Sequence, residues 1–268
     1  MSSPESPVRS ADWTAPPLAG AAVLVAYLGV LAGAELGWSL HVLSAPAAAV
    51  AYGLLALLGP LCLTLRAAAD ARVAALLPPL VAISVVRLVT VAAEPAHVRP
   101  STRLVVVGVP ALAAVALAAY QRPRQWRLLR PHAGGWGGQV LVALAGMLAG
   151  RLVWGLAPPT VLVRAGTSTA VAATVLVVFA ALPDELLYRG LLLPAAAGVA
   201  GRWALPLSSL AYATAYLPGG SVRQVLLAFL LGMALGWCRQ RTGSVVGVVA
   251  AHGLLNVVVF LLLPSSGP

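Results

Sequence analysis

Ser168–Ala200 reads STAVAATVLVVFAALPDELLYRGLLLPAAAGVA, an apolar run interrupted by Asp184, Glu185 and Arg189. As one helix it would extend about 50 Å. That is too long for a single crossing of a hydrocarbon layer of about 30 Å and too short for two ordinary ones. Pro183 predicts a break, with a short span followed by a second helix lining a cavity enclosed by protein. Ionisable groups in such a place cost roughly 2.5 to 3.5 kcal/mol each on insertion scales. Something must offset that cost, and function is the first expectation.

Working outward, the whole chain has the same character. Of 268 residues, 60% are hydrophobic and only 9% charged, and the mean hydropathy is +0.94. Further apolar runs lie at about 17–37, 46–65, 73–93, 104–120, 139–157, 204–217, 222–238 and 244–263. Helices satisfy their own backbone hydrogen bonds in lipid, so this pattern predicts an all-α fold. The expected architecture is a polytopic transmembrane helical bundle of about eight or nine helices. A soluble domain is excluded, and alternating β-barrel strands are absent.

The formal charge of +10 comes entirely from arginine, since the chain has no lysine. The arginines sit mainly in short loops, which is topology and lipid-headgroup chemistry rather than nucleic-acid binding. Arg66 and Arg72 flank one loop, Arg122, Arg124, Arg127 and Arg130 fill another, and Arg239 and Arg241 flank a third. Placing these three on the cytoplasmic side puts the N-terminus in the cytoplasm of a multi-pass cell-membrane protein. The division expected is a polar tail at 1–16, N-terminal helices at 17–120, a basic Gly/Arg loop at 121–138 and C-terminal helices at 139–268. Cys62 and Cys238 lie in separate apolar runs and read as packing thiols. Glycines four apart (Gly146 and Gly150, Gly232 and Gly236, Gly243 and Gly247, and the series Gly29, Gly33, Gly37) allow close helix packing within the chain.

Three segments each carry a polar pair four residues apart. Glu185 and Arg189 can pair along one helical face, while Asp184 points about 100° away. This leaves one structural carboxylate and one able to activate water. His252 and Asn256 share a face in the last apolar run, and a polar site explains them better than packing does. Tyr212 and Tyr216 repeat the spacing between these two.

Taken in order, these pairs resemble the motifs of the CPBP family, the CAAX-protease and bacteriocin-processing intramembrane proteins related to the Rce1-type prenyl protease. The EExxxR motif is matched by Asp184-Glu185-x-x-x-Arg189, and HxxxN by His252 and Asn256. The resemblance covers about residues 168–263, with core support from Leu230–Gly236 and Arg241–Ser244. It implies a metal-independent, glutamate-type peptidase needing no cofactor, with membrane lipids and a peptide or membrane-protein substrate as partners. The catalytic set it implies is Asp184, Glu185, Arg189, Tyr216, His252 and Asn256.

Two positions depart from that pattern. Asp184 stands where the family has the first glutamate, and Tyr216 stands where FxxxH has its histidine. The shorter carboxylate is withdrawn by one methylene, and a misplacement of about 1 Å can cost roughly 100-fold in rate. Tyrosine, with an ordinary pKa of about 10, is no base near neutral pH, yet it can donate a hydrogen bond. Asn256 and His252 would still polarise a carbonyl, an effect worth roughly 100- to 1,000-fold. The alternatives are a catalytically impaired member acting as a membrane scaffold, and a transporter using these charges with Arg87 and Arg151 as a relay.

Overall fold

A computed structural model describes residues 18–66, 71–93, 99–120, 135–158, 168–219 and 221–263. Among these residues every regular element is helical. The first five helices are α1 (Leu18–Ser39), α2 (Ala45–Arg66), α3 (Ala71–Ala92), α4 (Pro100–Tyr120) and α5 (Gly135–Leu156). A long helical run, α6, occupies 169–200. It is followed by α7 (Ala204–Thr214), α8 (Val222–Thr242) and α9 (Val246–Val257), the last extended by a wider turn at Val258–Leu262. The described residues thus make nine helices, or eight if the nearly continuous stretch Thr169–Thr214 is taken as one. Five are long and apolar enough to cross a membrane: α3, α4, α5, Thr169–Thr214 and α8. The chain is a multi-pass membrane protein with an all-α bundle fold.

The expected break at Pro183 does not occur. Two π-helical turns, Leu176–Ala181 and Leu186–Leu192, flank the short α segment Leu182–Glu185 that contains the proline. Backbone bonds reach back five residues at their ends: Leu182 N–H donates to the Val177 carbonyl, and Leu193 N–H to Tyr188. A π turn holds an extra residue, so the missing Pro183 N–H falls at a joint rather than inside a regular turn. The helix ends properly only at Gly201, whose φ of +53° suits glycine. Gly135–Gly138, expected in the basic loop, instead open α5. The rest of that loop and the N-terminal tail lie outside the described residues.

Small residues set the closest approaches. A Cβ on Gly146 would collide with the Ala251 backbone, and one on Gly150 would crowd Val258, so α5 lies directly against α9. Gly247 is equally tight against Gln139 of α5, whose Oε1 accepts the Gly247 N–H at 2.7 Å. That bond satisfies one of the orphan donors at the start of α9. Gly108 of α4 and Gly253 of α9 both pack onto the first π turn, against Phe179 and Val177. Within-chain packing therefore accounts for Gly146, Gly150, Gly232, Gly236 and Gly247. Gly29 and Gly33 have nothing against them.

One short element matters for depth. The 11 residues of α7 advance only about 16 Å, roughly half a bilayer core. The chain then turns through Ala215 and Tyr216 into the 3-10 turn Leu217–Gly219 before α8 begins. Ser39 Oγ at the end of α1 donates to the Leu217 carbonyl at 2.7 Å and pins that turn.

Candidate active site

The joint between the two π turns of α6 presents its acidic pair at the centre of the bundle. Glu185 is fully buried, and Asp184 is partly exposed. Arg189 Nη1 donates to Glu185 Oε1 at 3.0 Å, so the i, i+4 pair forms. His252 Nδ1 lies 2.8 Å from the same oxygen. One carboxylate oxygen thus orients two cationic or potentially cationic groups from α6 and α9. The bond to Glu185 uses Nδ1 and leaves Nε2 as the histidine nitrogen for other chemistry.

Aromatic rings hold the guanidinium from the other side. Arg189 Cζ stands 4.4 Å from the Tyr212 ring centroid, within cation–π range. Tyr212 meets Tyr188, Tyr216 and His252 edge-on, with centroids 5.3, 5.5 and 6.1 Å away. Its hydroxyl shares a 2.8 Å hydrogen bond with that of Tyr216. Burial and this stacking make Tyr212 a packing residue of the site rather than a face of it.

Asp184, Tyr216, His252 and Asn256 line one cavity of about 390 Å³, together with Thr90, Arg103 and Phe260. A second cavity of about 270 Å³ reaches Tyr216, His252 and Asn256 from between α5, α8 and α9. Its wall is mainly apolar, from Val153, Leu227, Leu231, Leu255 and Val259, with Gln224 as a polar exception. Glu185 and Arg189 line neither cavity. They stand behind it, with Glu185 Oε2 and Arg189 Nη2 buried and unpartnered. Asp184 is therefore the carboxylate that meets the cavity, and Glu185 the one that organises Arg189 and His252. Among the described residues no three His, Cys, Asp or Glu side chains are grouped to hold a metal ion.

The family model of type II CAAX prenyl endopeptidase Rce1-like proteins matches residues 166–258. This is a likeness to Rce1-type proteins. It covers α6 to α9 but only about a third of the chain. No curated protein and no solved structure gives a significant match. The Rce1-like stretch does not enclose its cavity alone, since Thr90 comes from α3, and Arg103 and Leu104 from α4.

Several polar groups escaped the sequence reading. Glu35 of α1 is fully buried and forms a bidentate ion pair with Arg87 of α3, Arg87 Nη2 donating to Glu35 Oε2 at 2.6 Å. The criterion that singled out Glu185, an acid inside an apolar run, applies equally to Glu35. Thr90, Arg103 and Gln224 carry no sequence pattern that would place them at the cavity. Arg151, expected as an intramembrane relay group, is exposed on α5 and lies over Trp154, 5.0 Å from its ring centroid. That position suits a headgroup contact and stands apart from the cavity.

Proposed function

We propose that the protein is an intramembrane endopeptidase that hydrolyses a membrane-bound or lipidated peptide with carboxylate-activated water. The observation carrying this reading is that Asp184, Tyr216, His252 and Asn256 share one cavity within the Rce1-like stretch. The protein sits in the cell membrane with its N-terminus in the cytoplasm, an orientation supported by the arginine bias of the loops.

In this reading Asp184 takes a proton from water as the water attacks the scissile carbonyl. Asn256 and the Nε2–H of a protonated His252 donate to the developing oxyanion. Glu185 holds the His252 ring in that orientation through Nδ1. The charges then balance, with Asp184 and Glu185 facing Arg189 and His252. Such balance matters in a medium of low dielectric constant. Tyr216 supplies a hydroxyl that can donate to the substrate but takes no proton from water near neutral pH. Protonated Asp184 returns its proton to the leaving amine.

A second reading keeps the fold and binding cavity but not the chemistry. The bond between the Tyr216 and Tyr212 hydroxyls favours it, because it engages the hydroxyl that stands where the family has its histidine. Cleavage of a membrane-anchored reporter peptide by purified protein in liposomes separates the two. Activity in the wild type that is lost in Asp184→Ala supports the peptidase. An inert wild type that gains activity as Tyr216→His supports the scaffold.

A further inference from the structure

A cavity of about 400 Å³ lies beside the one that holds Asp184. It is bounded by the end of α1, the last turns of α3, the first turn of α4 and the turn that follows α7. Thr90 and Arg103 belong to both cavities, and Ala215 lines the one while its neighbour Tyr216 lines the other. One extended ligand can therefore occupy both.

The wall of this second cavity is basic. Arg87, Arg103 and His41 line it, and among the described residues no acid does. Glu35 offsets the charge of Arg87, yet it takes only the Nε and Nη2 edge of the guanidinium and leaves Nη1 outside the fork. Arg103 has contacts of its own, and its five N–H groups let it serve more than one acceptor. The hydroxyl donors are already committed, that of Ser39 to the Leu217 carbonyl and that of Thr90 to the Val86 carbonyl. Donors for a ligand thus come from basic side chains, which suits an anion. The backbone at His41 points the same way. Its φ of +56° is the only positive value at a non-glycine residue among the described residues. Glycine takes that conformation beyond a helix end without strain. An imidazole kept there calls for a reason, and the cavity supplies one.

We infer that this second cavity receives an acidic side chain of the substrate, a few residues from the scissile bond. The inference rests on the peptidase reading, in which the scissile carbonyl sits at His252 and Asn256. An acidic side chain at the bond itself would meet the Asp184 carboxylate, whereas one carried past Thr90 meets Arg87, Arg103 and His41. Charge complementarity of this kind fixes register and excludes wrong partners more than it adds affinity. The basic cavity thereby sets which peptide bond is presented to the attacking water.

Matched reporter peptides test this with the full chain in phosphatidylcholine liposomes. One glutamate, or one glutamine in its place, is walked through the positions on both sides of the cleavable bond. Glutamate at one position is expected to raise kcat/KM about tenfold over its glutamine partner. The same preference at every position would reflect the net charge of +10 acting at long range, and overturns the inference. His41→Gly removes the imidazole and suits the left-handed backbone, while Arg103→Gln removes a guanidinium. Either variant is expected to bring the glutamate-to-glutamine ratio toward one, and the ratio does not depend on how much protein folds. A ratio unchanged in both overturns the inference. If no reporter is cut, fluorescence anisotropy of the same labelled peptides decides. Tighter binding of glutamate at one position keeps the subsite and sinks hydrolysis, and equal binding throughout sinks the subsite. Absence of any glutamate preference, with phosphatidylglycerol speeding cleavage of the glutamine reporter in the wild type but not in the two variants, would make the cavity a lipid-headgroup site and overturn the inference.

Discussion

Among the described residues two carboxylate–arginine pairs are buried, and their surroundings differ. Glu35 and Arg87 join α1 to α3 in bidentate geometry, and the pair uses both carboxylate oxygens. Glu185 and Arg189 sit on one helix with a single bond between them, and each keeps an unpartnered atom. The first pair occupies both Glu35 oxygens and, among the described residues, has no second acid beside it. The second has Asp184 as its neighbour, His252 on its shared oxygen and a cavity in front. Burial of charge alone therefore does not mark a reaction centre. Open volume does not separate the pairs either, since Arg87 itself lines a cavity of about 400 Å³; the adjacent acid and the histidine on the shared oxygen do.

The sharpest way to break the comparison is at the acid facing the cavity. Asp184→Asn removes the proposed base while keeping size and polarity. It is expected to lower reporter cleavage by about 100- to 10,000-fold, with unfolding in detergent little changed. Glu35→Gln should leave the cleavage rate per folded molecule near that of the wild type. Equal losses of rate in the two variants would erase the functional distinction between the pairs.

Stability provides the next test. Removing one partner of a buried pair leaves an uncompensated charge and costs about 3–5 kcal/mol. Glu35→Gln and Glu185→Gln should both approach that loss in denaturant titrations of the purified protein. Replacing both members of the first pair, as Glu35→Met with Arg87→Leu, should recover most of it, because two desolvated charges disappear together. The same treatment of Glu185 and Arg189 should not rescue activity, since His252 would lose its bond to Glu185.

The difference between the pairs also explains what could be read in the chain. Apolar run lengths revealed the helices, and i, i+4 spacing brought out Glu185 with Arg189 and His252 with Asn256. These are local properties, set by helix geometry within one element. The bond from His252 to Glu185 spans 67 positions, and that from Arg87 to Glu35 spans 52. No periodicity encodes such pairings, which depend on how helices stack. Pro183 misled for a related reason. Its helix-breaking tendency is intrinsic, but the π turn that precedes it is packed against Gly108 and Gly253 of other helices.

That packing can be probed at α5 and α9. Gly146→Val forces a branched side chain against the Ala251 backbone, one residue before His252. Overpacking of this kind costs about 1–3 kcal/mol, and thermal unfolding in detergent would register it. Because the strain falls on the helix that carries His252 and Asn256, cleavage should decline as well. Gly33→Val, on an open face, is the matched control and should change neither. A stable, fully active Gly146→Val would mean that α5 does not position α9.

The smallest expected effect lies at a bond that links the two regions. Ser39 follows Glu35 by one helical turn on α1, and its hydroxyl reaches the Leu217 carbonyl, next to Tyr216. Ser39→Ala deletes one neutral hydrogen bond, for a net loss of about 1 kcal/mol. If α1 serves only as packing, the melting temperature should fall slightly and the cleavage rate should follow the folded fraction. A rate that falls while the melting temperature holds would mean that α1 sets the height of Tyr216 in the cavity. The Glu35–Arg87 pair would then be a strut for the reaction centre, and the line between the two regions would move from α1 to α2.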